Sequence, residues 1–417
     1  MKNDLKQLMK RENLTALWVM GPAKYNSAMI YLAGRGHISR ADLIYPAEGD
    51  PFLVCGSMER EEAAATGLDV KLYSDFDASD LIKKYPDDPV RANALLKKRI
   101  LDNAGFSKGR IAVYGKTDLE ESWASLKMLE ELMPDLKIIG EGPKSVLLEA
   151  RATKDSQEIE RIRQMGEITL DVVNLTAAYL QSSRVTEDQK LLDTDGTPLT
   201  IGKVKSKIRL WLAERGAETP EGTIFSIGRD AGIPHSAGNP QDQLELGKTI
   251  IFDIFPQEMG GGYFFDFTRT WCLGYAPPKA QKMYDDVADV YHRIMDDLEP
   301  GGQAPKYQDL TCQYFEEAGH KTIRQDSKLL SGYVHSLGHG LGLDVHERPT
   351  FGRGASSKDT LDPGCVVTIE PGLYYPDQGM GCRLEDTVWV RPDGEIEILA
   401  EYSHQLVLEM KHWKPEN

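Results

Sequence analysis

A chain of 417 residues, 41% hydrophobic and 27% charged, can bury sizeable cores and fits two or three domains at about 150 residues each. Its formal charge of −16, with no block of basic residues, excludes nucleic-acid or anionic-membrane binding through a basic face. No stretch of about 18 apolar residues is present to span a bilayer, and the start, Met1–Lys6, lacks the apolar core of a leader.

In chain order, the first half alternates strand and helix signals. Leu14–Met20 is a short apolar run stopped by Gly21-Pro22, and Ala41–Pro46 and Pro51–Gly56 flank a turn and predict a hairpin. Met58–Thr66 is helix-like; Val70–Tyr73, Arg110–Tyr114 and Leu136–Ile139 predict strands, with helices near 90–104 and 118–133. Residues 1–150 therefore form an α/β domain, and none of its residues make up a reactive set. A boundary falls near Arg151. Beyond it Ile159, Ile162, Met165, Ile168, Val172 and Leu175 recur at helical spacing. Gln181–Pro198 predicts an insertion or hairpin, Val204–Arg215 a helix, and 278–298 and 305–320 two more. The five cysteines, spread without CxxC spacing, read as reduced thiols of a cytoplasmic protein.

The chemistry lies in strand-like segments of residues 151–417. Asp253 interrupts Thr249–Phe255, Asp266 interrupts Phe264–Phe267, Glu370 follows Val366–Ile369, and Glu385 sits in Cys382–Val388. An unpaired buried carboxylate costs several kcal/mol, and beside these four the only basic residues are Arg269 and Arg383. A pair of divalent metals is the economical explanation. Asp253 and Asp266 bracket Gly260–Gly262, so a glycine-rich hairpin could bring both to one ion. Glu370 and Glu385 repeat that logic around Pro376–Gly379. His339, in Gly338-His339-Gly340, adds an imidazole where glycines allow close backbone approach. Such an oxygen-rich set favours Mn²⁺, Fe²⁺ or Co²⁺ over a structural zinc site and leaves Zn²⁺ open.

These motifs carry a resemblance. His335–Pro349 resembles the HxxGHGxGxxxHExP signature of the M24 pita-bread metallopeptidases. Thr368–Gly372, Arg383–Thr387 and Phe265–Thr270 are similar to that family's glutamate and second aspartate motifs, and Pro234-His235-Ser236 to its upstream histidine motif. The resemblance implies an α/β N-terminal domain of the creatinase/prolidase type over 1–150, then an α+β pita-bread catalytic domain over 151–417. It implies that Asp253, Asp266, His339, Glu370 and Glu385 hold two divalent ions bridged by a hydroxide. Glu370 would shuttle the proton, His346 and His235 would bind substrate and the developing oxyanion, and His335 and Arg383 would line the pocket. The implied activity is removal of an N-terminal residue before proline by a cytoplasmic homodimer, with a proline-containing peptide as substrate and neither nucleic acid nor membrane as partner.

Two features depart from the family pattern. Asp253 and Asp266 lie thirteen residues apart, longer than the usual interval, but the added length is even and keeps strand parity. Dipeptidases of this type often carry an arginine directly after HExP, where it can grip a dipeptide's carboxylate; here Thr350 stands there, with Arg348 and Arg353 nearby. That weights the reading toward an Xaa-Pro aminopeptidase. An Xaa-Pro dipeptidase, another amide or ester hydrolase, and a non-catalytic binding module remain the alternatives. Tyr374 and Tyr375 fit either the pocket wall or the core.

Overall fold

The computed structural model describes residues 4–142 and 145–414; Met1–Asn3, part of the start read above for a leader, fall outside it, as do 143–144 and 415–417. Two compact units divide the chain, one ending at Arg151 and including Gly260–Gly262, the other beginning at Ala152.

In the first unit, the strands are β1 (Ala16–Gly21), β2 (Ala41–Pro46), β3 (Phe52–Cys55), β4 (Asp69–Leu72), β5 (Gly109–Gly115) and β6 (Leu136–Ile139). They form one sheet in the order β4-β3-β2-β1-β5-β6. β2–β3 is the predicted antiparallel hairpin, while β1, β5 and β6 run parallel. The helices are α1 (Leu5–Arg11), α2 (Ser27–Ala33), α3 (Arg60–Ala64), α4 (Ala78–Lys84), α5 (Pro89–Asn103), α6 (Leu119–Leu132) and α7 (Val146–Arg151). Trp18, Ile44, Val54, Ile100, Ile111 and Leu129 meet in its core. The helix expected over 58–66 shrinks to a 3-10 turn and five α-helical residues, because only Ala63 of that segment is buried.

In the second unit, α8 (Ser156–Gln181) starts at a capping box: the Asp155 side chain accepts from the Glu158 backbone N–H, and Glu158 returns the contact. The polar stretch after it makes the hairpin β7 (Arg184–Val185) and β8 (Leu191–Leu192), followed by α9 (Ile201–Glu214). β9 (Ala217–Glu218), β10 (Thr223–Ile227), β11 (Thr249–Ile254), β12 (Gln257–Glu258) and β13 (Phe267–Leu273) come next, then α10 (Pro278–Asp297) and α11 (Ala304–Glu317). The remaining strands are β14 (His339–Gly340), β15 (Glu347–Thr350), β16 (Val366–Ile369), β17 (Gly372–Tyr375), β18 (Met380–Arg383), β19 (Asp386–Val390), β20 (Ile396–Ile398) and β21 (Val407–Leu408).

Two sheets position the chemistry, β10-β11-β13-β21 and β15-β14-β16-β19-β20. Every residue of β11 and β13 is buried, which is why both read as continuous apolar runs rather than alternating ones. α10 and α11 cover the second sheet, burying Val287, Tyr291, Ile294 and Phe315 in one cluster with Val367, Ile369 and Val388. No helix among the described residues is long and apolar enough to cross a membrane.

Candidate active site

Asp253 is the fifth residue of β11 and sits opposite Thr268 on β13. Asp266 lies two residues before Thr268 and so shares its parity. The segment between them is not the tight glycine hairpin expected: β12 leaves to pair with β9, and Asp266 precedes β13 rather than lying inside a strand. Parity, not the turn, aims both carboxylates at one face. On the second sheet, Glu370 follows β16 and Glu385 precedes β19, one step beyond the Ile369–Asp386 pair of that antiparallel ladder. A bridge between Thr268 and Glu385 joins the two sheets at the site.

His339 enters from β14, held between β15 and β16. A Cβ on Gly338 would lie 1.9 Å from the Thr368 carbonyl oxygen, and one on Gly340 would lie 2.1 Å from that of Arg348. The glycines flanking His339 are therefore what lets its short strand pack between its neighbours. The His339 Nδ1–H donates to the Gly340 carbonyl at 3.1 Å, which leaves Nε2 as the free lone pair. That atom lies 3.4 Å from Glu370 Oε1 and 3.7 Å from Asp266 Oδ2. Asp266, His339 and Glu385 each offer a ligand atom within 4.8 Å of the others. Hydroxyls orient the glutamates: Thr268 donates to Glu385 Oε2 at 2.6 Å and Thr368 to Glu370 Oε1 at 3.4 Å.

All nine side chains predicted for the site line one cavity of about 940 Å³. The structure also shows how they are tied down. Arg383 ion-pairs with Asp253 rather than with Glu385, two residues along, because the chain leaves β18 before Glu385 and turns into β19. The other Arg383 donors reach the Tyr374 hydroxyl at 2.7 Å, the Pro234 carbonyl at 3.3 Å and Thr268 Oγ1 at 3.3 Å. Tyr374 in turn donates to His335 Nε2 at 2.9 Å, since His335 Nδ1 is committed to the Ser336 carbonyl at 2.7 Å. Both nitrogens of His335 are thus engaged within the protein. Tyr374 belongs to the site through this link, although its sequence position leaves it equally at home in the core. Arg269 serves the site from behind. It pairs with buried Asp386 at 2.8 Å and donates to the Glu385 carbonyl at 2.8 Å. His346 stacks edge-to-face on His339, ring centroids 4.3 Å apart. His235 lies in an exposed turn after Pro234.

Four carboxylates here face one guanidinium, and the imidazole is neutral: burial and the neighbouring His346 push His339 down to about 3. Burial and Glu385 raise Asp266 and Glu370 well above the usual carboxylate range, and burial with Asp253 pushes Glu385 up to about 8. Asp253 Oδ1 is buried with no hydrogen-bond partner among the described residues. An orphaned acceptor among carboxylates that resist ionisation fits hard divalent cations, which supply the missing charge and accept these donors.

A stability consequence follows from Glu385. Its folded pKa of about 8 lies above the ordinary 4.5, so across that interval the metal-free fold holds a proton that the unfolded chain releases. Stability then falls as pH rises through the window. The melting temperature of the metal-free protein is expected to drop between pH 5.5 and 8, and saturating Mn²⁺ is expected to abolish the drop by favouring the ionised ligands. A metal-free melting temperature that rises over the same range would contradict this.

Near the Thr350 position, Arg348 pairs with Asp359 at 3.0 Å and Arg353 donates to the Ser327 carbonyl at 2.9 Å. Thr350 lines the cavity and neither arginine does. Two lining cations that sequence reasoning missed are Lys205 and Arg209 on α9. Their four-residue spacing on a predicted helix was the one available signal, and nothing local says that this face meets the cavity.

The chain is similar over 250 residues to an Xaa-Pro dipeptidase of Pyrococcus furiosus, at 29% identity, covering 60% of this chain and 63% of that protein. The matched stretch thus spans less than two thirds of that relative. Its fold is shared with a dipeptidase from Pyrococcus horikoshii OT3 (TM-score 0.74, 22% identity, 97% of this chain and 99% of that one). It is shared equally with an X-Pro aminopeptidase from Thermotoga maritima (TM-score 0.72, 22% identity, 98% and 99%). The description of metallopeptidase family M24 matches residues 160–392, more than half of the chain and all five candidate ligands, and the chain belongs to that family.

Proposed function

We propose that this protein is a metal-dependent exopeptidase that hydrolyses the bond between an N-terminal residue and proline. The observation that carries the reading is the single cavity gathering three buried carboxylates, the part-buried Glu370, His339 and the histidines 235, 335 and 346 in a family M24 chain. The substrate class is supported by relatives named for Xaa-Pro bonds. Asp253, Asp266, His339, Glu370 and Glu385 would hold two divalent ions, which when bound acidify water and polarise the scissile carbonyl. Manganese suits the hard donor set.

The chain's own groups do the rest. Glu370, kept basic by burial and by Glu385, accepts a proton from the attacking water and delivers it to the prolyl nitrogen as that nitrogen leaves. His346 and His235 donate to the carbonyl oxygen as it gains charge. Arg383 holds Asp253 and, through Tyr374, fixes His335 against the cavity wall. We place the enzyme in the cytoplasm, in keeping with five free, buried cysteines, and assign it a homodimeric state on the resemblance of its motifs.

Cleavage by an aminopeptidase rather than a dipeptidase is favoured by Thr350 in the cavity wall. The dipeptidase alternative is favoured by the name of the Pyrococcus furiosus relative. Kinetics on an Xaa-Pro dipeptide and an Xaa-Pro-Yaa tripeptide separate them. The tripeptide is expected to show the higher kcat/KM, and a strong preference for the dipeptide would reverse the assignment.

A further inference from the structure

Three cations line the catalytic cavity: Arg383, Lys205 and Arg209. Arg383 is spent. Of its five N–H groups, four are directed at Asp253, Tyr374, Pro234 and Thr268. Lys205 and Arg209 are in the opposite condition. They stand four residues apart on α9 and so share one helix face. The Lys205 ammonium donates to the Ala237 carbonyl and the Arg209 guanidinium to Ser206 Oγ at 3.0 Å. Neither meets a carboxylate among the described residues, in a chain with an excess of acidic side chains.

We infer that Lys205 and Arg209 form a carboxylate-binding subsite within the catalytic cavity, taking a carboxylate on the leaving-group side of the peptide. The inference rests on the peptidase reading above. A peptide's terminal ammonium is repelled by this pair, which favours the segment beyond the scissile bond as the part that brings it a complementary charge. Burial and the Arg209 charge together push the Lys205 pKa down, and an anion docked between the two relieves that repulsion. The subsite also supplies what the Thr350 position lacks: Arg348 and Arg353 are turned to Asp359 and the Ser327 carbonyl, and Thr350 brings no charge. Two sources share this chemistry, the C-terminal carboxylate of a short peptide and an acidic side chain in a longer one.

The test uses three tripeptides, Xaa-Pro-Ala as free acid, the same as C-terminal amide, and Xaa-Pro-Asp amide. Wild-type protein is expected to favour the free acid over the neutral amide about five- to tenfold in kcat/KM, the scale of a partly exposed charge-assisted contact. Arg209→Gln, an exposed site, and Lys205→Met/Arg209→Gln are expected to bring that ratio to near one with the neutral amide's kcat/KM unchanged. Recovery of the advantage by the Asp amide assigns the pair to side chains, and its absence assigns it to the terminus. Equal wild-type kinetics for all three peptides, or a preference for a carboxylate-bearing peptide that persists in the double variant, overturns the subsite. Calorimetric binding of the acid and amide to Glu370→Gln protein separates the two readings. Acid-selective binding that Arg209→Gln removes supports the subsite even without turnover, in which case the peptidase reading alone fails. Equal binding of the acid, the amide and the Asp amide overturns the subsite.

Discussion

Glu370→Gln is expected to lower kcat on an Xaa-Pro-Yaa peptide by about 10²–10⁴-fold, the range for loss of a positioned proton-transfer group. The geometry leaves this carboxylate unusually free to act. Its one side-chain hydrogen bond among the described residues, from Thr368, is long at 3.4 Å, whereas Glu385 is held at 2.6 Å by Thr268 and Asp253 by Arg383. Burial and the neighbouring Glu385 raise its affinity for a proton, and in the proposed role the ionised carboxylate takes one from the attacking water and passes it to the prolyl nitrogen. Glutamine keeps the shape and one ligand oxygen but cannot carry the proton. The melting temperature of the Mn²⁺-loaded variant is expected within about 4 °C of wild type, the shift that roughly 1 kcal/mol makes in a unit of this size. Turnover within a few-fold of wild type would remove Glu370 from the chemistry.

Arg383→Met is expected to destabilise the metal-free protein by about 3–5 kcal/mol, the usual consequence of breaking a buried ion pair from one side. Arg383 is 2% exposed and, among the described residues, is the one lysine or arginine ion-paired to any of the four carboxylates, through Asp253. Its loss leaves Asp253 with neither oxygen partnered among the described residues, and takes a donor from the Tyr374 hydroxyl and the Pro234 carbonyl at once. Thermal denaturation of chelator-treated protein should therefore show a drop of about 6–20 °C. Added Mn²⁺ should recover part of it, because the ions replace some of the missing charge. A change under about 2 °C in the metal-free protein would mean that the carboxylates simply take up protons and that the guanidinium is dispensable to the fold.

The sequence makes some of this site legible and hides the rest for physical reasons. Asp253 is legible because β11 is buried on both faces, so a carboxylate inside Thr249–Phe255 has no solvent-facing explanation. His339 is legible because its flanking glycines answer to carbonyl oxygens about 2 Å from where a side chain would begin. The helices at 89–103 and 119–132 and the β2–β3 hairpin follow from local pattern and lie close to the expected bounds. Long-range pairing is not legible. Arg383 is two residues from Glu385 and 130 from Asp253, yet it pairs with the distant one, because the chain turns between β18 and β19. Arg269, next to Thr268 in the chain, neutralises Asp386 instead of a site carboxylate. The glycines at 260–262 look like a hairpin turn only until β12 is seen to pair elsewhere. Short helices such as α1, α2 and α4, seven residues each, have too few turns to show periodicity.

Four mutually repelling carboxylates and a neutral His339 are proposed to form a divalent-metal site that serves peptide hydrolysis. The most direct measurement is turnover of an Xaa-Pro-Yaa peptide by protein stripped with a chelator, checked for residual metal, and then titrated with Mn²⁺ or Co²⁺. Stripping is expected to lower kcat by about 10²-fold or more, consistent with several kcal/mol of lost charge stabilisation, and activity is expected to return as the ion is added. Full turnover by the stripped protein would contradict it.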